Sequence, residues 1–63
     1  MLYKVTFFQV RHYTDRKSGG PRSFVVEAGS TSLARREATD QMHADKHELG
    51  PNKGCYIEPV QSR

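Results

Sequence analysis

The chain opens on a long run of extended-strand character. From Leu2 to Tyr13 it is rich in β-branched and aromatic side chains, with Tyr3, Val5, Thr6, Phe7, Phe8, Val10 and Tyr13 all favouring a strand. Strict alternation puts Tyr3, Val5 and Phe7 on one face and Leu2, Thr6, Phe8 and Val10 on the other, so both faces are partly apolar. Two arrangements satisfy that pattern: a bulge near Phe7 and Phe8 that switches the inward face, or a strand covered on both sides. Either suits a central strand. The next segment, Thr14 to Pro21 (TDRKSGGP), is turn-forming and predicts a wide hairpin connection. Arg22 to Ala28 (RSFVVEA) then alternates again, with Phe24, Val26 and Ala28 expected inward and Ser23, Val25 and Glu27 outward.

After Gly29 the period changes from two to that of a helix. Ser30 is a good N-cap, because its hydroxyl accepts a backbone N–H of the first turn. The helical spacing extends from about Thr31 to Glu48, with Ala34, Ala38, Gln41/Met42, Asp45 and Leu49 tracing one stripe, joined by Leu33. The small residues Ala34 and Ala38 let such a helix lie close to a sheet. Gly50 and Pro51 are expected to end it, and Asn52 to Gly54 complete the loop. Cys55 to Val60 reads as a third strand with Cys55 and Ile57 inward, and Pro59, which has no backbone donor, suits a sheet edge. The predicted architecture is a single α+β domain over residues 1–63. It is a ββαβ unit in which a three-stranded antiparallel sheet of order 2-1-3 carries one helix on one face.

Composition sharpens this picture. A chain of 63 residues buries only roughly 60% of its unfolded surface, and its hydrophobic fraction is 35%. The domain is therefore expected to be marginal, gaining stability from self-association as a homodimer or from a partner. One core layer leaves little room for a buried active site, and no acid–base or nucleophile pair is recognisable, so an enzyme is not expected. Cys55 is the single cysteine, which excludes an internal disulfide. No apolar run approaches the ~20 residues of a membrane span and the N-terminus has no signal-peptide layout, so a cytoplasmic protein is expected.

Several constellations bear on chemistry. His43 and His47 stand four apart in the predicted helix, a spacing that can hold a transition metal, with Asp40 a turn earlier. No third ligand is fixed by the sequence, and a solvated helix face accounts for these residues; no metal or other cofactor is expected. Gly19 and Gly20 lead into a strand and not into a helix N-terminus, which removes the phosphate-loop reading. Cys55 is best explained as a small apolar filler. The net charge of +3 lies in the ordinary range for solubility, yet the basic residues fall into two groups. Arg11, Arg16, Lys17 and Arg22 surround the hairpin, while Arg35 and Arg36 sit in the first helical turn, where they oppose the helix dipole. Tyr3, Phe8, Tyr13 and Tyr56 are available as aromatics for base stacking or a protein interface, and Phe8 and Val10 are expected to form an apolar patch on the sheet face that the helix leaves open.

The stretch Val26-Glu27-Ala28-Gly29-Ser30-Thr31-Ser32-Leu33-Ala34-Arg35-Arg36-Glu37-Ala38 joins a strand to a serine-capped helix carrying Ala-Arg-Arg-x-Ala. It resembles small phage-encoded anti-CRISPR proteins of the strand-strand-helix-strand type. In layout the chain is also similar to the short phage inhibitor of bacterial RNA polymerase, and its element order occurs in an archaeal ribosomal-protein family. The resemblance implies a non-enzymatic inhibitor that binds a bacterial nucleic-acid-processing complex, protein or ribonucleoprotein, with a CRISPR surveillance complex as the leading target. By charge and expected exposure, Arg35, Arg36, Arg16, Lys17, Arg11, Arg22, Phe8 and Tyr13 are the candidate partner-binding residues. The alternative is a small basic module that binds RNA or DNA directly.

Overall fold

The computed structural model describes residues 1–15 and 19–60. Within them the elements follow in the order β1 (Leu2–His12), β2 (Gly20–Glu27), α1 (Thr31–Ala44), β3 (His47–Leu49) and β4 (Cys55–Val60). The expected α+β architecture is present, with one helix and an antiparallel sheet in which β1 is central. β2 lies along one edge of β1, and β4 and β3 share the other edge. β4 pairs with Leu2 to Phe7, and β3 pairs with Val10 to His12. At ~3.4 Å per residue an eleven-residue strand spans about 37 Å. The longest dimension of the molecule, 38 Å, is therefore set by β1.

The apolar character on both faces of β1 is resolved by a bulge. Phe7 opposes Arg22 and Val10 opposes Gly20, so Phe8 and Gln9 together face a single residue of β2. The inward sequence Tyr3, Val5, Phe7 therefore continues at Val10, not at Gln9. This corrects the expectation that Val10 joins Phe8 outside: Val10 is 7% exposed and belongs to the core, whereas Phe8 remains 46% exposed. The core consists of Tyr3, Val5, Phe7, Val10, Val26, Ala34, Ala38 and Met42, with Phe24, Ala28, Leu49, Cys55 and Ile57 packed at its margin. Phe24 meets Phe7 edge to face, with ring centres 5.9 Å apart. Ala34 and Ala38 are fully buried, as their small size predicts for a helix lying close to a sheet, and Met42 fills the space beyond them. Leu33 is exposed and stands outside the packed stripe.

The helix begins where the sequence indicates. Ser30 is extended, and its Oγ accepts the Leu33 N–H at 3.3 Å. The helix ends at Ala44, one turn short of the Glu48 that helical periodicity suggests. Asp45 caps it, and Lys46 takes a left-handed conformation with φ 61°. The Lys46 N–H donates to His43 O, and Lys46 O accepts from Tyr13 N. Residues 47–49 are thereby redirected into β3, which opposes Val10 to His12. The polar run Asp45 to Glu48 has no local stop signal. The stop comes from β1, which extends beyond β4 and takes up a further partner.

Between β3 and β4 the chain leaves the sheet and passes around Gln9. Gly50 N donates to Gln9 O, Phe8 N donates to Gly54 O, and Gln9 Oε1 accepts from Asn52 N. A Cβ on Gly50 would lie 2.8 Å from the Gln9 side chain, so a larger residue there must displace that side chain. No helix among the described residues is long and apolar enough to cross a membrane.

Lys46 occupies the helix-terminating position that glycine usually fills, at a steric cost borne by its Cβ. Lys46→Gly is therefore expected to raise the unfolding free energy by about 0.5–1 kcal/mol, the gain being offset in part by the greater freedom of glycine in the unfolded chain. Urea denaturation of the two proteins measures this; a loss of stability would show that the left-handed conformation does not strain Lys46.

Candidate interaction surface

One helix covers one face of the sheet, and alternation turns the remaining side chains outward on the other. The register arranges them in rows across the three long strands. Thr6 lies between Ser23 and Tyr56, Lys4 between Val25 and Glu58, and Leu2 between Glu27 and Val60. Thr6 Oγ1 and Ser23 Oγ are hydrogen-bonded at 2.8 Å. Phe8 ends the central column, diagonal to Tyr56. Val25 and Tyr56 are 54% and 57% exposed, comparable to Phe8. Phe8 and Tyr56 adjoin on an uncovered sheet, a feature that ordinarily marks a contact surface, while Val25 stands apart from them across the Thr6–Ser23 pair.

The Phe8 ring is held in place by its surroundings. Its Cδ2 lies 2.8 Å from the point where a Cβ on Gly54 would stand. The ring therefore rests directly on the Gly54 backbone, which is in turn held by the Gly54 N–H donating to Asn52 Oδ1 at 3.1 Å. Among the described residues the charges on this face are Lys4, Glu27 and Glu58, joined toward the far end of β1 by Arg11 and its partner Glu48, with the Met1 amino group paired to Glu27. They give it no surplus of positive charge.

The basic candidates are dispersed over the molecule. Arg11 pairs with Glu48, its direct cross-strand partner, through Nε to Oε2 at 2.9 Å. Arg22 Nη1 lies 2.8 Å from His47 Nε2. A guanidinium only donates, so His47 Nε2 accepts, and its Nδ1–H donates to Asp45 O at 2.9 Å. His12 and His47 face each other across β1 and β3 with ring centres 5.2 Å apart. Tyr13 stands next to this pair, exposed. Arg11, Arg22 and Tyr13 thus lie toward the far end of β1, with Arg11 on the open face and Arg22 on the helix side, and Arg35 and Arg36 are exposed on α1. Arg16 and Lys17 lie outside the described residues. Among the arginines described, Arg11 alone shares the face of Phe8, where it is paired to Glu48.

The histidine pair of the sequence is also resolved differently. His43 is in α1, but His47 is in β3, so the two are not one turn apart on a helix. Among the described residues no group of three metal-ligating side chains is assembled. Cys55 is partly buried at the margin of the core. Sequence reasoning gives too little weight to two residues of the open face, Val25 and Tyr56. Their outward phase is readable from alternation in β2 and β4, but the adjacency of Tyr56 to Phe8 depends on register. Comparison of the chain with protein-family models, with characterised proteins and with solved structures yields no match.

A methyl group at residue 54 must displace the Phe8 ring. Gly54→Ala is expected to cost about 1–2 kcal/mol, and clearly less in a Phe8→Ala background, where no ring opposes it. A double-mutant cycle in urea reads the difference. Equal costs in both backgrounds would mean that the ring is not seated on this glycine.

Proposed function

We propose that this chain is a non-enzymatic inhibitor of the phage type, which docks on a bacterial nucleic-acid-processing complex through its open sheet face; a CRISPR surveillance complex is the leading target. The observation that carries the reading is the adjoining pair of exposed aromatics, Phe8 and Tyr56, on an uncovered sheet face. Aromatic side chains in such settings supply large contact area at small entropic cost, and a few of them dominate affinity. The charges on that face, Lys4 and Arg11 against Glu27, Glu48 and Glu58, are of mixed sign. Mixed charge complements a protein surface better than a phosphate backbone, which rewards a surplus of Lys and Arg. Within this reading Arg35 and Arg36 are secondary contacts, reached only by a target that wraps to the helix side.

A second reading, a small RNA- or DNA-binding module, draws on the other end of the molecule. There Arg22, Lys46 and the His12–His47 pair stand close together, with Tyr13 beside them for stacking. Bacterial RNA polymerase is an alternative protein target within the first reading.

The two readings separate in one binding experiment. Immobilised chain is presented with a purified CRISPR surveillance complex, with bacterial RNA polymerase, and with bare RNA and DNA. The expected result is a nuclease-resistant protein complex whose affinity falls by roughly 30-fold or more in Phe8→Ala/Tyr56→Ala, the loss of two hot-spot side chains. Binding to bare nucleic acid alone, falling steeply with salt and indifferent to the double substitution, would move the function to the second reading.

A further inference from the structure

The two outer strands of the sheet differ in how their free edges are protected. Backbone N–H and C=O groups alternate sides along a strand, so one known bond fixes the phase of the rest. Ala28 N donates to Met1 O. The main-chain groups of Val26, Phe24 and Arg22 therefore face β1, in keeping with their register against Tyr3, Val5 and Phe7. Those of Ser23, Val25 and Glu27 face away from the sheet. On the opposite side Phe8 N donates to Gly54 O, so Tyr56, Glu58 and Val60 face β1 while Cys55, Ile57 and Pro59 face outward. Proline at an outward position removes a donor from that edge, a common means of blocking strand addition. On β2 the corresponding proline is Pro21, at the loop end, and the stretch from Ser23 to Glu27 carries neither proline nor lysine.

We propose that the β2 edge binds the β2 edge of a second copy of this chain, antiparallel about a two-fold axis with Val25 opposite Val25 of the other copy. Three features of β2 select this occupant and this register. Pairing Ser23 with Glu27, Val25 with itself and Glu27 with Ser23 engages every outward N–H and C=O of the unprotected stretch, each pair exchanging both bonds. Sliding the strands two residues one way brings Pro21, with no N–H, against Glu27. Sliding them the other way leaves Ser23 without a partner. In the proposed register no charge meets its own copy, and the Ser23 hydroxyl, already bonded to Thr6, stands opposite a carboxylate. On the helix side Phe24 falls opposite Val26 of the other copy, which covers a ring that is only partly buried in one chain. Two copies then share one continuous sheet, with their open faces on the same side. This inference concerns self-association and stands whether or not the open face binds the target proposed above.

The test is the mass of the full chain in solution, followed by cross-linking. Sedimentation equilibrium from micromolar to millimolar concentration is expected to show a species of twice 7.2 kDa. Val25→Lys, at a half-exposed position, is expected to abolish it, because two ammonium groups would be placed face to face. Circular dichroism and a thermal melt establish that this variant is folded. In a Cys55→Ser background, Val25→Cys is expected to form an intermolecular disulfide under mild oxidation, since directly opposed residues of a hydrogen-bonded pair have Cα atoms about 5.5 Å apart. Ser23→Cys in the same background is expected to stay reduced, its two copies being more than about 13 Å apart along the strands. The cross-linking pair decides the matter even if Val25→Lys fails to fold. A wild-type chain that is monomeric throughout overturns the proposal. So does a dimer that survives Val25→Lys, or a Ser23→Cys variant that cross-links as readily as Val25→Cys.

Discussion

Each of the other strands in this domain pairs with β1, and among the described residues none of them pairs with another. That single strand supplies the ladder for β2 on one side and for β4 and β3 on the other. It also contributes the largest share of the core, through Tyr3, Val5, Phe7 and Val10. The constraint on β1 is double. It must present apolar side chains to one helix on one face only, and it must do so over eleven residues while changing partner partway along. The bulge at Phe8 and Gln9 meets both demands, because one additional residue re-phases the strand at the point where β4 gives way to β3.

The same point organises the loops. Gln9 is held by Gly50 N on its carbonyl and by Asn52 N on its side-chain oxygen, and the Phe8 ring lies on Gly54. A single pair of residues in the bulge thus places the connection between β3 and β4 and fixes an exposed aromatic of the open face. The candidate surface is a by-product of how the core is kept in phase: whatever the bulge does not turn inward is left on the uncovered side.

Electrostatics has a smaller part in the fold. Arg11 and Glu48 form a partly exposed pair across β1 and β3, the type of contact that contributes little alone but favours one register over another. Arg22 and His47 tie the end of β2 to β3 in the same way. These contacts draw basic residues away from any common patch. The positive charge of the described residues is therefore spread over the far end of β1 and the exposed side of the helix, while the open sheet face is of mixed charge.

Much of this was legible in the linear pattern. Period-two segments at Leu2 to Tyr13, Arg22 to Ala28 and Cys55 to Val60, a serine cap before a period of 3.6, and Ala34 and Ala38 at packing positions determine an α+β domain with a central first strand. They also require a bulge or a second cover near Phe7 and Phe8, and they identify Phe8 as an outward aromatic. Three things were decided by the tertiary structure. The helix stops at Ala44 because β1 recruits residues 47–49, and local propensity in Asp45 to Glu48 carries no trace of a partner far earlier in the chain. Val10 is core and not surface, because alternation holds only until a bulge whose position depends on both neighbouring strands. Phe8 and Tyr56 adjoin on the open face, and the described arginines form no common patch, because side chains on different strands meet only through register, a property of pairs of segments and not of any one of them.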